Sequence, residues 1–450
     1  MELKQAVAAN FDEQVKALQG LLKIRSVECI GENRTPFGQG TKDCLEYCLK
    51  LGQEMGFRAV NLHDRCGYLE YGDGAEMIAV LGHLDVVPEG TGWTHDPYGT
   101  EIDGDRLYGR GAIDDKGPVV AALYALKAAV DAGAAMKRRV RIIFGLNEET
   151  GCACMQHYVN CAEEQPALGF TPDGEFPLIN GEKGICAAYY TFPLGGSLKR
   201  FSGGTALNMV PAMAEAVLDL PAEALKSKAS EGITVTETDE GIVVSAQGQS
   251  AHGSTPEKGV NAIVRLAAFL CDLELDAASK QLVQSIANLY PQGTVGEQLG
   301  IALRDDVSGN MVVNLGTAET VDGLVTLGVN LRVPVTFGEK DFHRRLTTLM
   351  GSQGFYEKSF HFTPPLYIPA DAPLIRTLRK VYEEETGLSG EPICIGGGTY
   401  AKTMPNIVAF GPIFPGEPCV EHEPEEFISL TSFRKMTEIY ARAIVELANA

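Results

Sequence analysis

The chain has 450 residues, 45% of them apolar, a mean hydropathy of −0.03 and a formal net charge of −21. That length exceeds one ordinary core, so two domains or three are expected, and the composition is that of a soluble globular protein rather than a disordered one. The acidic balance excludes nucleic acid as a partner, because nothing basic is spare to neutralise phosphates.

In chain order, MELKQAVAANFDEQVKALQGLLKI mixes acids into its apolar pattern. It predicts an amphipathic helix over about 8–24 and not a signal peptide. Helices follow at about 39–55 and 117–132, with strands at MIAVLGHLD (77–85) and RRVRIIFGLNEE (138–149). Strand, Gly-rich turn, helix, strand is the grammar of an α/β sheet. It returns near the end, where PNIVAFGPI (405–413) reads as a strand and LTSFRKMTEIYARAIVEL (430–447) as a helix. Between them the texture changes to alternating strands, such as 232–249 and 324–335, with helices at about 259–275 and 338–352. This predicts one discontinuous α/β domain carrying a large α+β insertion. No run approaches the roughly 18 continuous apolar residues that a membrane span needs. The eleven cysteines are scattered and odd in number, which argues against a disulfide framework and for reduced thiols in a cytoplasm.

Candidate chemistry lies at predicted strand ends, where α/β sheets keep it. His83 and Asp85 share one face of an extended backbone, so Asp85 can accept a hydrogen bond from the far nitrogen of a metal-bound His83 ring. Two aspartates, Asp114 and Asp115, stand side by side before a helix and repel each other unless a cation lies between them and the rest of the fold. In NEETG, Glu148 and Glu149 point different ways, so one can bind metal while the other stays free as a base, although acids at a helix N-cap read the same way. Asp173 follows another predicted strand, and His422 stands late in the chain in PCVEHEPEEF. Singly, each suits a surface turn.

Together, HLD (83–85), GRGAIDDKG (109–117), NEETG (147–151), TPD (171–173) and EHEPEE (421–426) occur in an order that resembles one enzyme group. That group is the co-catalytic metallopeptidases that include carboxypeptidase G, aminoacylase and peptidase V. LNMVP, SAHGSTPEKGVNAI, GGGTYAK and the long insertion narrow the resemblance to peptidase V-type dipeptidases, over essentially the whole chain. The resemblance implies a discontinuous α/β/α catalytic domain (1–183 and 386–450) and an inserted α+β lid (184–385). It implies that Asp114 bridges two divalent cations, with His83 and Asp173 completing one site and Glu149 and His422 the other. Three carboxylates and two imidazoles suit zinc, with manganese or cobalt also feasible. Asp115 would be structural and joined to Asp114 by a cis peptide bond. Glu148 would be the general base, with Asp85 and His252 as further catalytic groups, His252 at the developing oxyanion. Asn208 and Arg332 would grip the substrate's C-terminal carboxylate, and Gly397 and Thr399 would line the site. The implied substrate is an unblocked dipeptide and the implied state a monomer. A deacylase of N-acyl or succinyl-diamino acids, or a catalytically dead binding protein, are the alternatives on the same scaffold.

Overall fold

The computed structural model describes every residue except 32–33, 222–224, 226–230, 291–295 and 297–299. Two compact units emerge, one of residues 1–180, 368–393 and 399–450, the other of residues 181–367 and 394–398. The chain is of the α/β class, as its alternating pattern predicts.

In the first unit, β1 (Arg58–Leu62) and β2 (Cys66–Tyr71) form a hairpin beside three parallel strands, β3 (Met77–His83), β4 (Arg139–Gly145) and β5 (Leu168–Thr171). The order is β1-β2-β4-β3-β5, and Ile407–Ala409 (β14) adds in parallel to β5. Every residue of β3 is buried, as expected of a strand covered on both faces, so MIAVLGH is continuously apolar up to its final histidine. Helices α1 (Leu3–Leu22), α3 (Lys116–Asp131) and α9 (Leu430–Asn449) pack on one another, while α2 (Gln39–Glu54) and α4 (Ala153–Asn160) pack on β2. Among the described residues no helix is long and apolar enough to cross a membrane.

The second unit holds an antiparallel eight-stranded sheet. Its strands are β6 (Gly184–Pro193), β7 (Leu198–Gly203), β8 (Met213–Leu218), β9 (Ile233–Thr238), β10 (Gly241–Gln247), β11 (Val312–Val321), β12 (Leu324–Val333) and β13 (Tyr356–Thr363). The spatial order is β9-β10-β8-β7-β11-β12-β6-β13. On it and on each other pack α5 (Ala262–Cys271), α6 (Ala277–Leu289) and α7 (Glu339–Ser352). Asn261 and Asp276 begin α5 and α6 by accepting the free N–H groups of the first turn.

One boundary differs from the sequence expectation. The segment assigned to the insertion ends at 367 and not at 385, because α8 (Pro373–Thr386) buries Leu374, Ile375, Leu378, Val381 and Tyr382 and packs on α9 in the first unit. In the other direction, residues 394–398 belong with the second unit. An amphipathic helix fits either core equally well by pattern alone, so periodicity could not assign it.

On the edge side of the first sheet, Glu70 of β2 lies opposite Arg141 of β4 and accepts from its Nε and Nη2 at 2.9 and 2.7 Å. Arg139 and Arg58 add contacts at 3.0 and 3.2 Å. Burial would raise the Glu70 carboxyl, but these guanidinium groups outweigh it and hold it below 4.5. A depressed folded-state pKa adds stability above the unfolded value and loses it as pH falls through the folded one. Glu70→Gln is therefore expected to cost about 3 kcal/mol at neutral pH, since it leaves buried Arg141 short of its counter-charge. Thermal melts against pH should show the gap to wild type closing below pH 4.5; a constant gap would refute the electrostatic origin.

Candidate metal centre

Register places the site. His83 ends β3 opposite Gly145 at the end of β4, and Val80 pairs with Phe170 in β5, so three adjacent parallel strands deliver their carboxyl ends to one side. From them come His83, the 146–149 turn and Asp173, while Asp114 and Asp115 stand just before α3, whose N-terminal dipole favours negative charge. The Asp114–Asp115 peptide is cis. Asp115 is fully buried, and its Oδ2 accepts the backbone N–H of His83 at 3.1 Å. That contact needs glycine next door, because a Cβ at Gly82 would fall 2.6 Å from Asp115 Oδ2 and 2.4 Å from a Val119 methyl.

Asp114 stands between two imidazoles. Its Oδ1 lies 3.0 Å from Nε2 of His83, and its Oδ2 lies 3.0 Å from Nε2 of His422. Asp173 Oδ2 is 3.9 Å from the His83 nitrogen, and the Glu149 oxygens are 3.1 and 3.2 Å from the His422 nitrogen. His83, Asp114 and Glu149 have ligating atoms within 4.8 Å of one another, and so do His83, Glu148 and Asp173.

The donor set suits cations. His83 Nδ1 lies 3.0 Å from the Asp85 carbonyl, to which it donates, so the Nε2 lone pair of a neutral ring faces carboxylate oxygens. Acceptors that oppose each other at 3.0 Å need either an extra proton or a cation between them. Burial works against charge on His83, yet Asp114 and Asp85 outweigh it and push the imidazole well above its usual range. Asp114 and Glu149 likewise push His422 up to about 11. Burial, with Asp173, holds Glu148 well above the usual carboxylate range. Such a set is self-consistent when divalent charge replaces the extra protons.

One residue acts differently from the sequence expectation. The Asp85 carboxylate is 3.5 Å from His83 Nδ1, and the Asp85 backbone carbonyl takes the nearer place at 3.0 Å. Its two oxygens instead accept the backbone N–H groups of Glu148 and Glu149, each at 3.1 Å, so Asp85 fixes the turn that aims both glutamates. Glu148 and Glu149 lie in that turn and not at a helix cap, since α4 begins only after Cys152.

Sequence reasoning missed Glu426. It is fully buried, pairs with buried Arg110 at 2.7 Å, and accepts the backbone N–H groups of Gly111, Ile113 and Asp114 at 3.0, 2.9 and 3.1 Å. Its carboxylate thereby shapes the loop that presents Asp114. EHEPEE was visible as a segment, but a partner 316 positions away cannot be read from one sequence.

The remaining candidates gather in the second unit, except Thr399. His252 is exposed, with Nδ1 2.6 Å from Ser254 Oγ. The carbonyl of Asn208 accepts the N–H of Gly253, joining the two loops. Arg332, on β12, is buried and donates from Nη1 to the carbonyl of Gly396, beside Gly397, at 3.0 Å. Its Nε is buried without a hydrogen-bond partner, and burial lowers the guanidinium to about 10. Thr399 belongs to the first unit, where its hydroxyl accepts the N–H of Ala401 at the start of a short 3₁₀ turn.

Comparison with known proteins agrees with this architecture. A Bacillus subtilis (strain 168) protein named "Putative dipeptidase YtjP" is 39% identical, with all of both chains covered. A Staphylococcus haemolyticus protein with the same description is 33% identical over 99% of each. Among solved structures, human carnosine dipeptidase 1 matches with a TM-score of 0.59 at 18% identity, covering 100% of this chain and 98% of that one. The dipeptidase Dug1p of Saccharomyces cerevisiae matches with a TM-score of 0.60 at 12% identity over the same shares. The sequence pattern of peptidase family M20/M25/M40 matches residues 79–446. The chain therefore belongs to peptidase family M20/M25/M40 and is a hydrolase acting on peptide bonds.

Proposed function

We propose that this protein is a metal-dependent dipeptidase that cleaves unblocked dipeptides. The observation that carries the reading is Asp114, with one oxygen facing His83 and the other facing His422, both at 3.0 Å. A carboxylate so placed suits a bridge, with Asp173 beside His83 and Glu149 beside His422 as the remaining ligands of two divalent cations. Zinc is our first assignment and manganese or cobalt the alternatives, since mixed imidazole and carboxylate donors accept all three. When bound, such a pair supplies Lewis acidity, lowering the pKa of a water and polarising the scissile carbonyl.

The protein's own residues do the rest. Glu148 takes a proton from the attacking water and passes it to the leaving amine. Its turn is held by Asp85, so the base is aimed before substrate arrives. Arg332 and Asn208 recognise the substrate's C-terminal carboxylate, with Gly397 and Thr399 as lining backbone and His252 as donor to the oxyanion. In support, Arg332 is a buried guanidinium with a spare donor. The residues 181–367 would act as a lid in a monomer. No disulfide joins any of the eleven cysteines, which suits a reducing compartment such as the cytoplasm.

The deciding experiment offers the cation-loaded protein a panel of free dipeptides, the same dipeptides as C-terminal amides, and N-acetyl amino acids. Free dipeptides should be hydrolysed, amides much more slowly, and a chelator should stop the reaction. Preferred cleavage of N-acyl amino acids would replace the reading with a deacylase, and no turnover on any of them would leave a binding protein.

A further inference from the structure

A second cluster of ligating side chains lies in the first unit, away from Asp114. The turn between β1 and β2 carries His63, whose φ of +59° is left-handed. Its Nδ1 lies 3.1 Å from Nε2 of His157, in the last turn of α4. The sulfur of Cys161, which caps α4, lies 3.4 Å from the same nitrogen. The three ligating atoms all fall within 4.8 Å of one another. His157 and Cys161 are four residues apart, so the helix presents them on one side.

Two neutral imidazoles at this distance could share a proton, but that leaves the convergence of the sulfur unexplained. A tetrahedral ion with metal–nitrogen bonds of about 2.0–2.1 Å and metal–sulfur bonds of about 2.3 Å holds its donor atoms about 3.3–3.6 Å apart. The observed separations of 3.1 and 3.4 Å come within a few tenths of those edges. The His157 ring is also hydrogen-bonded to the backbone of Leu62, next to His63, and such a bond orients a ligating imidazole. Burial, with Arg65 and His63, keeps His157 below its usual pKa. His63 is exposed and the other two half-buried, which leaves an entry path.

We propose that His63, His157 and Cys161 form a separate binding site for one thiophilic divalent cation, with zinc the best match to its donors and spacing. Three protein donors leave the fourth position to water. A bound ion would tie the β1–β2 turn to the end of α4. The other end of α4 follows the glutamate turn, where Asn147 Oδ1 accepts the N–H of Ala153 at 2.7 Å.

Cobalt(II) tests this on the full-length protein, because a cobalt–thiolate bond gives a near-ultraviolet charge-transfer band that the oxygen and nitrogen donors around Asp114 cannot give. Metal-free protein titrated with cobalt should develop that band. Cys161→Ser should abolish it and bind one cobalt fewer per chain by equilibrium dialysis, with peptidase turnover retained as proof of folding. His63→Ala should weaken the band in parallel. Absence of any thiolate band, or a band unchanged in Cys161→Ser, would overturn the proposal.

Discussion

Glu148→Ala is expected to retain cation binding while kcat falls by on the order of 10²–10⁴-fold, the range that positioned proton transfer contributes. The reason is a division of labour within one turn. Glu149 reaches His422 at 3.1 Å and shares the Asp114 side of the cluster, whereas Glu148 groups with His83 and Asp173 and stands half-buried. Its raised carboxyl, held up by burial and by Asp173, makes it a competent proton acceptor only when neighbouring charge is balanced. Asp85 would still hold both backbone N–H groups in the alanine variant, so the turn and Glu149 should stay in place. Metal analysis alongside turnover separates the roles. If turnover survives, Glu148 is not the base; if cations are lost with it, Glu148 is a ligand.

The second large effect is on stability. Glu426→Ala should destabilise the first unit by about 3–5 kcal/mol, because removing one partner strands a buried charge on Arg110. It also leaves the N–H groups of Gly111, Ile113 and Asp114 without their acceptor. Burial and the nearby Asp114 push the Glu426 carboxyl up to about 7, yet every contact made to it is a donor, which calls for the ionised form. Positive charge at Asp114 would relieve that tension, so metal-loaded protein should lose more on mutation than metal-free protein. Thermal melts of both forms check this. A variant that melts like wild type would show that the loop before α3 holds its shape without Glu426.

Much of this was legible in the sequence, and for identifiable reasons. Strand β3 and helices α2, α3 and α9 fall within a few residues of their predicted bounds, because buried runs and 3.6-residue periodicity are local signals. The run 232–249, read as one stretch, is a hairpin that turns at Glu240, and α8 was assigned to the insertion. Both errors concern tertiary partners, which a local pattern does not name. The residues His83, Asp114, Glu148, Glu149, Asp173 and His422 were all named, and the structure draws them together. What stayed hidden were the supports. Asp85 serves the glutamate turn, and Glu426 serves the aspartate loop, through backbone N–H groups that carry no side-chain signature.

The parallel pairing of β14 with β5, together with the packing of α9 on α1 and α3, has a consequence for synthesis. A ribosome extrudes residues 181–367 in full while the earlier part of the chain still lacks its closing strand, its last helix and His422. Most of the second unit can therefore reach its fold on the nascent chain, whereas the first must wait for β14 and α9. On the proposed reading, hydrolytic competence would be withheld until His422 has emerged, since no shorter nascent form would possess it.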